Sequence, residues 1–108
     1  MARPLQIQVV ERARFLIADE QRWCRGDLAR DVHGEGVCPT SASAVKWCAL
    51  GALLAAAHEL THDFAAAQDF AVKSLRPQWG TSTLVRVNDM RGHAAVLALF
   101  DEVISAQR

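Results

Sequence analysis

The chain has 108 residues, and its 12 Lys and Arg residues balance 12 Asp and Glu residues, so the formal net charge is zero. A chain of this length is expected to form one helical domain, residues 1–108, that buries roughly 60–70% of its unfolded surface without a disulfide or a metal. The balanced charge gives no overall field that would attract nucleic acid or an anionic membrane, so neither is expected as a partner.

Composition also predicts the compartment and the fold class. The N-terminus lacks the apolar core of a signal peptide and no apolar run is long enough to span a bilayer, so we expect a cytoplasmic protein. The three cysteines form no C-x-x-C pair and fit reduced thiols. Abundant Ala and Leu and the absence of Tyr favour an all-α fold, a compact bundle of about four main helices with room for one short extended segment.

The first helix is predicted over residues 5–22. Pro4 suits the first turn of a helix, where its missing N–H has no helical partner. Apolar residues then recur at three- and four-residue spacing as far as Ile17. Gly26 is expected to adopt the left-handed conformation that often ends a helix, and a short helical turn is allowed over residues 27–31.

Residues 32–40 contain two glycines and one proline and are predicted to form a loop. His33, Glu35 and Cys38 offer metal-ligating atoms in this loop. Their spacing is not typical of a structural zinc site, which favours an ordinary connection over a metal-binding loop.

The central helix is predicted over residues 45–60, with Thr40, Ser41 or Ser43 as its N-cap. Its apolar stripe consists mainly of small residues, which allow neighbouring helices to approach closely. Thr61 can cap a new helix, so we expect a break near residue 60 and a third helix over residues 62–74.

Two predictions concern the C-terminal part. Residues 83–87 alternate weakly and are expected to be extended. Asn88 or Asp89 is expected to cap a final helix that runs to about residue 106, although the same pair can also hydrogen-bond a ligand. The apolar face of that helix is predicted to consist of Val96, Leu97, Phe100, Val103 and Ile104.

The segment from His58 to His62, H-E-L-T-H, matches the H-E-x-x-H pattern of zinc hydrolases. In such enzymes two histidines one helical turn apart bind zinc and the glutamate polarises the metal-bound water. Glu59 would be that base, and Glu102 is the best candidate for a third ligand. An unbroken helix would turn both histidines away from its apolar stripe and a break would separate them, which favours a solvated segment.

The two Trp-Cys pairs, at residues 23–24 and 47–48, suggest a thiol site. Free cysteine usually behaves as a small buried apolar residue, and the sequence offers no evident base for Cys48. If one thiol is a nucleophile, Cys24 is the better candidate because Arg22 and Arg25 flank it.

Three stretches together carry a family resemblance: Trp23-Cys24-Arg25-Gly26, the W-C-A-L-G-A-L run over residues 47–53, and Asn88-Asp89 followed by residues 96–101. They resemble a family of small bacterial and phage proteins with a W-C-x-x-G-A-L motif, known only as a domain of unknown function. The resemblance implies a compact, mainly helical cytoplasmic domain and no established activity.

The sequence therefore favours a non-enzymatic binding or regulatory module that acts through protein contacts or through self-association by the Ala-rich face of its central helix. No cofactor is expected. The alternative is a zinc-dependent hydrolase that uses the H-E-L-T-H segment. A second candidate site is a ligand-binding or structural cluster made of Trp23, Cys24, Trp47, Cys48, Asn88 and Asp89.

Overall fold

The structure, a computed structural model, describes residues 4–63, 65–67, 69 and 81–106. Four helices dominate it: α1 (Leu5–Leu16), α2 (Ala49–Thr61), α3 (Thr81–Arg91) and α4 (His93–Ala106). Between α1 and α2 lie a 3-10 turn (Glu20–Arg22) and two short strands, β1 (Ala29–Arg30) and β2 (Lys46–Trp47). The predicted mostly helical bundle is confirmed. In this described part of the chain, no helix is long and apolar enough to cross a membrane.

The core contains buried residues from all four helices. α1 packs against both α2 and α4, while α3 packs against α2 and α4. The predicted face of α4 is confirmed, since four of its five residues are buried and Leu97 packs at the edge of the core. The core residues with the largest fully buried side chains are Phe100, Ile17, Leu53, Leu84, Val9, Val10 and Val96.

The Ala-rich face of α2 belongs to this core. Ala49, Ala52 and Ala56 are each 0% exposed, because small side chains let α1 approach α2 closely. Self-association through this face is therefore a wrong prediction, since the chain already covers the surface with its own residues. Self-association through another surface stays a prediction.

A small β layer, made of β1, β2 and the bridged residue Trp23, lies in the chain between α1 and α2. β1 and β2 are antiparallel, with Ala29 opposite Trp47 and Arg30 opposite Lys46. On its other side, Trp47 forms a parallel bridge with Trp23, the residue that follows the 3-10 turn. This layer holds both Trp-Cys pairs against the N-terminus of α2.

The predicted end of the first helix is wrong. α1 ends at Leu16, because the chain turns at Ile17 to bury that side chain and Asp19 then caps the separate 3-10 turn by accepting a hydrogen bond from the Gln21 N–H at 2.9 Å. The helical turn allowed over residues 27–31 is also absent, since β1 lies there. Gly26 does adopt a positive φ, 83°. The predicted loop over residues 32–40 is confirmed.

The predicted start of the central helix is wrong as well. Residues 46–47 pair in β2, so α2 begins only at Ala49. Its N-cap is Cys48, whose Sγ accepts a hydrogen bond from the Gly51 N–H at 3.3 Å, in place of the predicted Thr or Ser caps. Because sulfur is a weak acceptor, a cysteine is not expected as an N-cap from residue type alone.

The C-terminus of α2 lies close to the predicted break. His62 follows the last helical residue with a left-handed φ of 60°. Thr61 is not the next N-cap, because its hydroxyl donates to the Ala57 carbonyl at 2.8 Å, while Asp63 accepts from the Ala66 N–H. Of the helix predicted over residues 62–74, residues 62–63 are not helical, and residues 65–67 and 69 are helical. The other residues of this predicted helix lie outside the described residues.

Residues 83–87 are helical, so the prediction of an extended segment is wrong. Leu84 and Asn88 are one turn apart in α3 and both are buried, so packing determines the conformation despite the strand propensity of Thr and Val. Asn88 and Asp89 therefore lie near the end of α3 and do not cap α4. Gly92, with a φ of 94°, separates the two helices.

Candidate functional site

The six residues predicted as a ligand-binding or structural cluster lie together, and we call them the Trp–Asn cluster (Trp23, Cys24, Trp47, Cys48, Asn88 and Asp89). The β layer brings the two Trp-Cys pairs side by side: the Cys24 N–H donates to the Trp47 carbonyl at 3.1 Å. The Cys48 N–H donates to the Leu28 carbonyl at 3.1 Å, which fixes the entry into α2.

Asn88 connects three parts of the chain within this cluster. Its Oδ1 accepts hydrogen bonds from the Trp23 indole N–H at 2.6 Å and from the Ala49 N–H at 2.9 Å. Its Nδ2 donates to the Cys24 carbonyl at 3.1 Å and to Asp89 Oδ1 at 3.0 Å. With 1% exposure, the amide uses its hydrogen-bonding capacity on the protein itself, which makes it a structural group.

The outer side of the cluster is charged. Asp89 Oδ1 also accepts from the Gly26 N–H at 3.4 Å. The Trp23 ring lies near the Arg25 guanidinium, at 5.2 Å, and near the His93 ring, at 5.6 Å. These groups hold the Trp23 indole in place between the chain segments that follow α1 and precede α4.

The three thiols have different acidities. Burial, and after it the charge of the nearby Cys48, raises the pKa of Cys24 to about 11. Burial also raises the pKa of Cys48. Exposed Cys38 has a lowered pKa, because the hydroxyl and the backbone N–H of Thr40 hydrogen-bond its sulfur. At neutral pH the thiol that the sequence favoured as a nucleophile, Cys24, is therefore protonated.

A groove at the junction of α1, the segment before β2 and α2 contains several of the other predicted residues. Its lining residues are Leu16, Pro39, Thr40, Trp47, Ala55, His58 and Glu59. Its volume is ≈ 260 Å³. We call it the Trp47 groove. The Trp47 indole N–H donates to the Pro39 carbonyl at 3.0 Å, so the aromatic wall of the groove is fixed.

An ion pair borders this groove. Arg12 on α1 forms two hydrogen bonds with the Glu59 carboxylate, Nε to Oε2 at 2.8 Å and Nη2 to Oε1 at 3.0 Å. The pair raises the pKa of the Arg12 guanidinium. Glu59 thus forms an ion pair that joins α1 and α2. At the rim of the groove, the negative charge of Glu59 is balanced by the positive charge of Arg12.

The structure separates the residues of the H-E-L-T-H segment. His58 lies in the last turn of α2, whereas His62 lies beyond the helix with a left-handed backbone. Glu102 lines a different groove, together with Val87 and Arg91 from α3. Among the described residues, no three His, Cys, Asp or Glu side chains are grouped to hold a metal ion. The hydrolase hypothesis stays a prediction.

Sequence reasoning missed most of the Trp47 groove. Leu16, Pro39 and Ala55 come from three separate stretches and belong to no motif. The one available signal was the predicted loop over residues 32–40, since loops carry binding residues more often than core elements do. There His33 and Glu35 donate their backbone N–H groups to Asp31 Oδ1, which makes that part of the loop a closed turn.

Comparison with known proteins places the chain in a family. A model described as a family of unknown function (DUF6197) matches residues 1–106. No curated protein and no solved structure matches the chain. Since the family match spans nearly all 108 residues, the protein belongs to the family of unknown function DUF6197.

Proposed function

We propose that the protein is a non-enzymatic binding module that acts through protein contacts, and that the Trp47 groove receives one apolar side chain of a partner protein. The observation that carries this proposal is the groove itself: a mostly apolar concavity with a fixed aromatic wall and a polar rim. Apolar pockets with a few converging polar groups are the usual form of binding sites.

The volume of the groove favours a side chain over a cofactor. Pockets that bury drug-sized ligands measure about 300–1,000 Å³. The Trp47 groove, at ≈ 260 Å³, is smaller and open to solvent on one side. It therefore fits a single Leu, Met or Phe side chain, while Thr40 at the rim can meet the main chain of a peptide.

The groove is also preorganised, which lowers the entropic cost of binding. β2 fixes the backbone of Trp47, and the bond to Pro39 fixes its ring. The bidentate pair of Arg12 and Glu59 holds α1 against α2 next to the groove. Anchor residues in interfaces typically insert into such fixed pockets.

The experiment is an NMR titration of the ¹⁵N-labelled protein with N-acetyl-leucinamide and N-acetyl-phenylalaninamide, with N-acetyl-aspartamide as the polar comparison. We expect the Trp47 indole N–H and the backbone N–H of Thr40 to shift at millimolar concentrations of the two apolar probes only. Shifts of equal size with the polar probe, or no shift at these two groups, would exclude the proposal.

A matched pair of variants tests the location. Ala55→Leu fills the Trp47 groove, while Ala95→Leu adds the same atoms to a half-buried alanine of α4 that lines a different groove. Binding of the apolar probes should be lost in Ala55→Leu and retained in Ala95→Leu. Equal loss in both variants, or retention in Ala55→Leu, would show that the probes bind elsewhere.

A zinc-dependent hydrolase is the second proposal, because His58 and Glu59 line one groove. The break after Thr61 makes it the weaker one, since the H-E-x-x-H mechanism needs both histidines on one helix. Elemental analysis of the purified protein decides it: stoichiometric zinc that is lost in both His58→Ala and His62→Ala would support the hydrolase. Wild-type protein without zinc after growth in zinc-supplemented medium would exclude it.

A further inference from the structure

Two buried cysteines, Cys24 and Cys48, follow the two tryptophans that are paired beside β2. Trp23 and Trp47 are paired in a parallel bridge, and Cys24 and Cys48 each follow one of these two residues in the chain. Side chains of paired residues on parallel strands point to the same face, and the strands are about 4.8 Å apart. A disulfide requires a Cα separation of about 4.4–6.8 Å, and the usual spacing of neighbouring paired segments falls in this range.

An electrostatic observation agrees with this placement. After burial, the largest influence on the pKa of Cys24 is the charge of Cys48, which raises it. This direction is the one expected when two thiols lie on the same side of paired segments. Both residues are 6% exposed, so a bond between them would lie inside the protein.

We propose that Cys24 and Cys48 form a reversible disulfide, which makes this pair an oxidation site of the protein. The third cysteine, Cys38, is exposed on the loop before β2 and takes no part in the bond. In reducing compartments, disulfides of this kind are typically transient and redox-sensing.

The chemistry balances with hydrogen peroxide as the oxidant. One cysteine thiolate attacks a peroxide oxygen and becomes a sulfenic acid, and the peroxide leaves as hydroxide. The second thiol attacks the sulfenic sulfur, forms the S–S bond and releases water. In sum, two thiols lose two protons and two electrons, and one peroxide molecule becomes two molecules of water.

Oxidation would change the hydrogen bonds of both sulfur atoms. In the reduced protein the Cys24 S–H donates to the Asp27 carbonyl at 3.5 Å, and this donor disappears in a disulfide. The Cys48 sulfur accepts from the Gly51 N–H as the N-cap of α2. The bond would also join the segment before β1 to the N-terminus of α2, next to Asn88.

The experiment uses the full chain with Cys38→Ser, so that the exposed thiol cannot form bonds between molecules. The protein is treated with hydrogen peroxide, quenched, unfolded and labelled with N-ethylmaleimide, and its intact mass is measured. We expect a mass lower by two hydrogen atoms, no added label, and two labels after treatment with dithiothreitol. Two labels without reductant, or added oxygen atoms in place of the cross-link, would overturn the proposal.

Wild-type protein supplies a second measurement that does not depend on a variant. Trypsin cleaves after Arg and Lys and therefore separates the three cysteines into peptides 23–25, 31–46 and 47–73. After oxidation of the native protein, peptides 23–25 and 47–73 should be found cross-linked. Cross-links that involve peptide 31–46 instead, at a similar or higher yield, would contradict the pairing.

The rate of oxidation provides a third measurement. Because the thiolate reacts and the pKa of Cys24 is about 11, the cross-link in Cys38→Ser should form faster as the pH rises from 7 to 9. A ten-fold increase in rate per pH unit is the limit for a single titrating thiol. A rate that does not change with pH would show that the two buried thiols do not react in this way.

Discussion

The side chain of Asn88 makes four hydrogen bonds within the protein. Its amide satisfies the indole N–H of Trp23, the N–H of Ala49 and the carbonyl of Cys24 inside the protein. The sequence places Asn88 beside Asp89 and suggested a helix cap. It could not show the actual role, because the partners of the amide lie 39 to 65 residues away in the chain.

Removal of this amide should be costly. Asn88→Ala leaves two donors and one acceptor buried without a partner, and we expect the free energy of unfolding to fall by about 3 kcal/mol or more. Urea unfolding at 25 °C measures the change. Met90→Ala, two residues further along α3 and at a 78% exposed position, is the matched control and should change stability by less than about 0.5 kcal/mol. Equal losses in both variants would contradict the structural role of Asn88.

The thiols should differ in reactivity by position. At pH 7 we expect iodoacetamide to label Cys38 in the native protein and to leave Cys24 and Cys48 unlabelled, since the pKa is lowered at Cys38 and raised at the other two. The labelling rate of Cys38 should level off at a lower pH than that of Cys24, whose thiolate forms only near pH 11.

Thr40→Val tests the cause of the lowered pKa at Cys38. This variant removes the hydroxyl that hydrogen-bonds the thiolate, so the pKa should rise and labelling at pH 7 should slow severalfold. Cys38→Ser is the control and should show no rapid labelling, as followed by mass spectrometry. Rapid labelling of a buried cysteine, or an unchanged rate in Thr40→Val, would contradict this assignment.

At the scale of elements, the first turn of α2 lies very close to the backbone of Leu28, just before β1. A Cβ atom added at Gly51 would lie 1.8 Å from the Leu28 carbonyl oxygen, which is a backbone atom that cannot rotate away. Only glycine fits at this point in the first turn of α2. Gly51 therefore allows the backbone of α2 to pack directly against the backbone of Leu28.

Gly51→Ala should therefore destabilise the protein, although Gly to Ala normally stabilises a helix by about 1 kcal/mol. We expect a loss of at least about 3 kcal/mol, because the strand or the helix must move. Gly34→Ala is the control: nothing lies near its Cβ, but its positive φ should cost about 1–2 kcal/mol. Thermal unfolding of both variants measures the difference, and a larger loss in Gly34→Ala would contradict the clash.

The elements differ in how far the sequence could predict them. The core-facing side of α4 follows from apolar residues at helical spacing, which is a local pattern. The position where α1 ends depends on a distant residue, since the Ile17 carbonyl accepts a hydrogen bond from the His93 Nε2–H, 76 residues away. β1 and β2 have two residues each and could not be predicted, because no alternating pattern exists in so short a strand.

The candidate sites show the same contrast. The members of the Trp–Asn cluster could be picked out as one set because Trp, Cys and Asn are rare and conspicuous residue types in this chain. The structural role of these residues could not be predicted, since it depends on which of them are buried in the folded protein. The Trp47 groove combines ordinary residues from α1, a loop and α2, and only folding brings them together.

For the whole molecule, the shared core predicts cooperative unfolding. α1 and α3 each pack against both α2 and α4, so every helix loses core contacts when a neighbouring helix unfolds. Phe100→Ala should lower the free energy of unfolding by about 3–5 kcal/mol. Its transition should remain single, with Trp fluorescence and far-ultraviolet circular dichroism changing together.

Phe15→Ala is the matched control, since Phe15 is 59% exposed and its ring contacts only the Arg12 guanidinium at 4.9 Å among the aromatic contacts described. We expect it to change stability by less than about 1 kcal/mol. Two separate transitions in wild-type protein, or a similar loss in both variants, would contradict a single shared core.

The long-range bonds of Asn88 also bear on how the chain folds during synthesis. While residues 1–87 leave the ribosome, the Ala49 N–H and the Trp23 indole N–H have no access to the oxygen that they bind in the folded protein. The N-terminus of α2 is thus completed only after Asn88 has been made, 39 residues after Ala49. A nascent chain stalled before residue 88 should expose its apolar helices and depend on chaperones, whereas release of the full chain allows folding in one step.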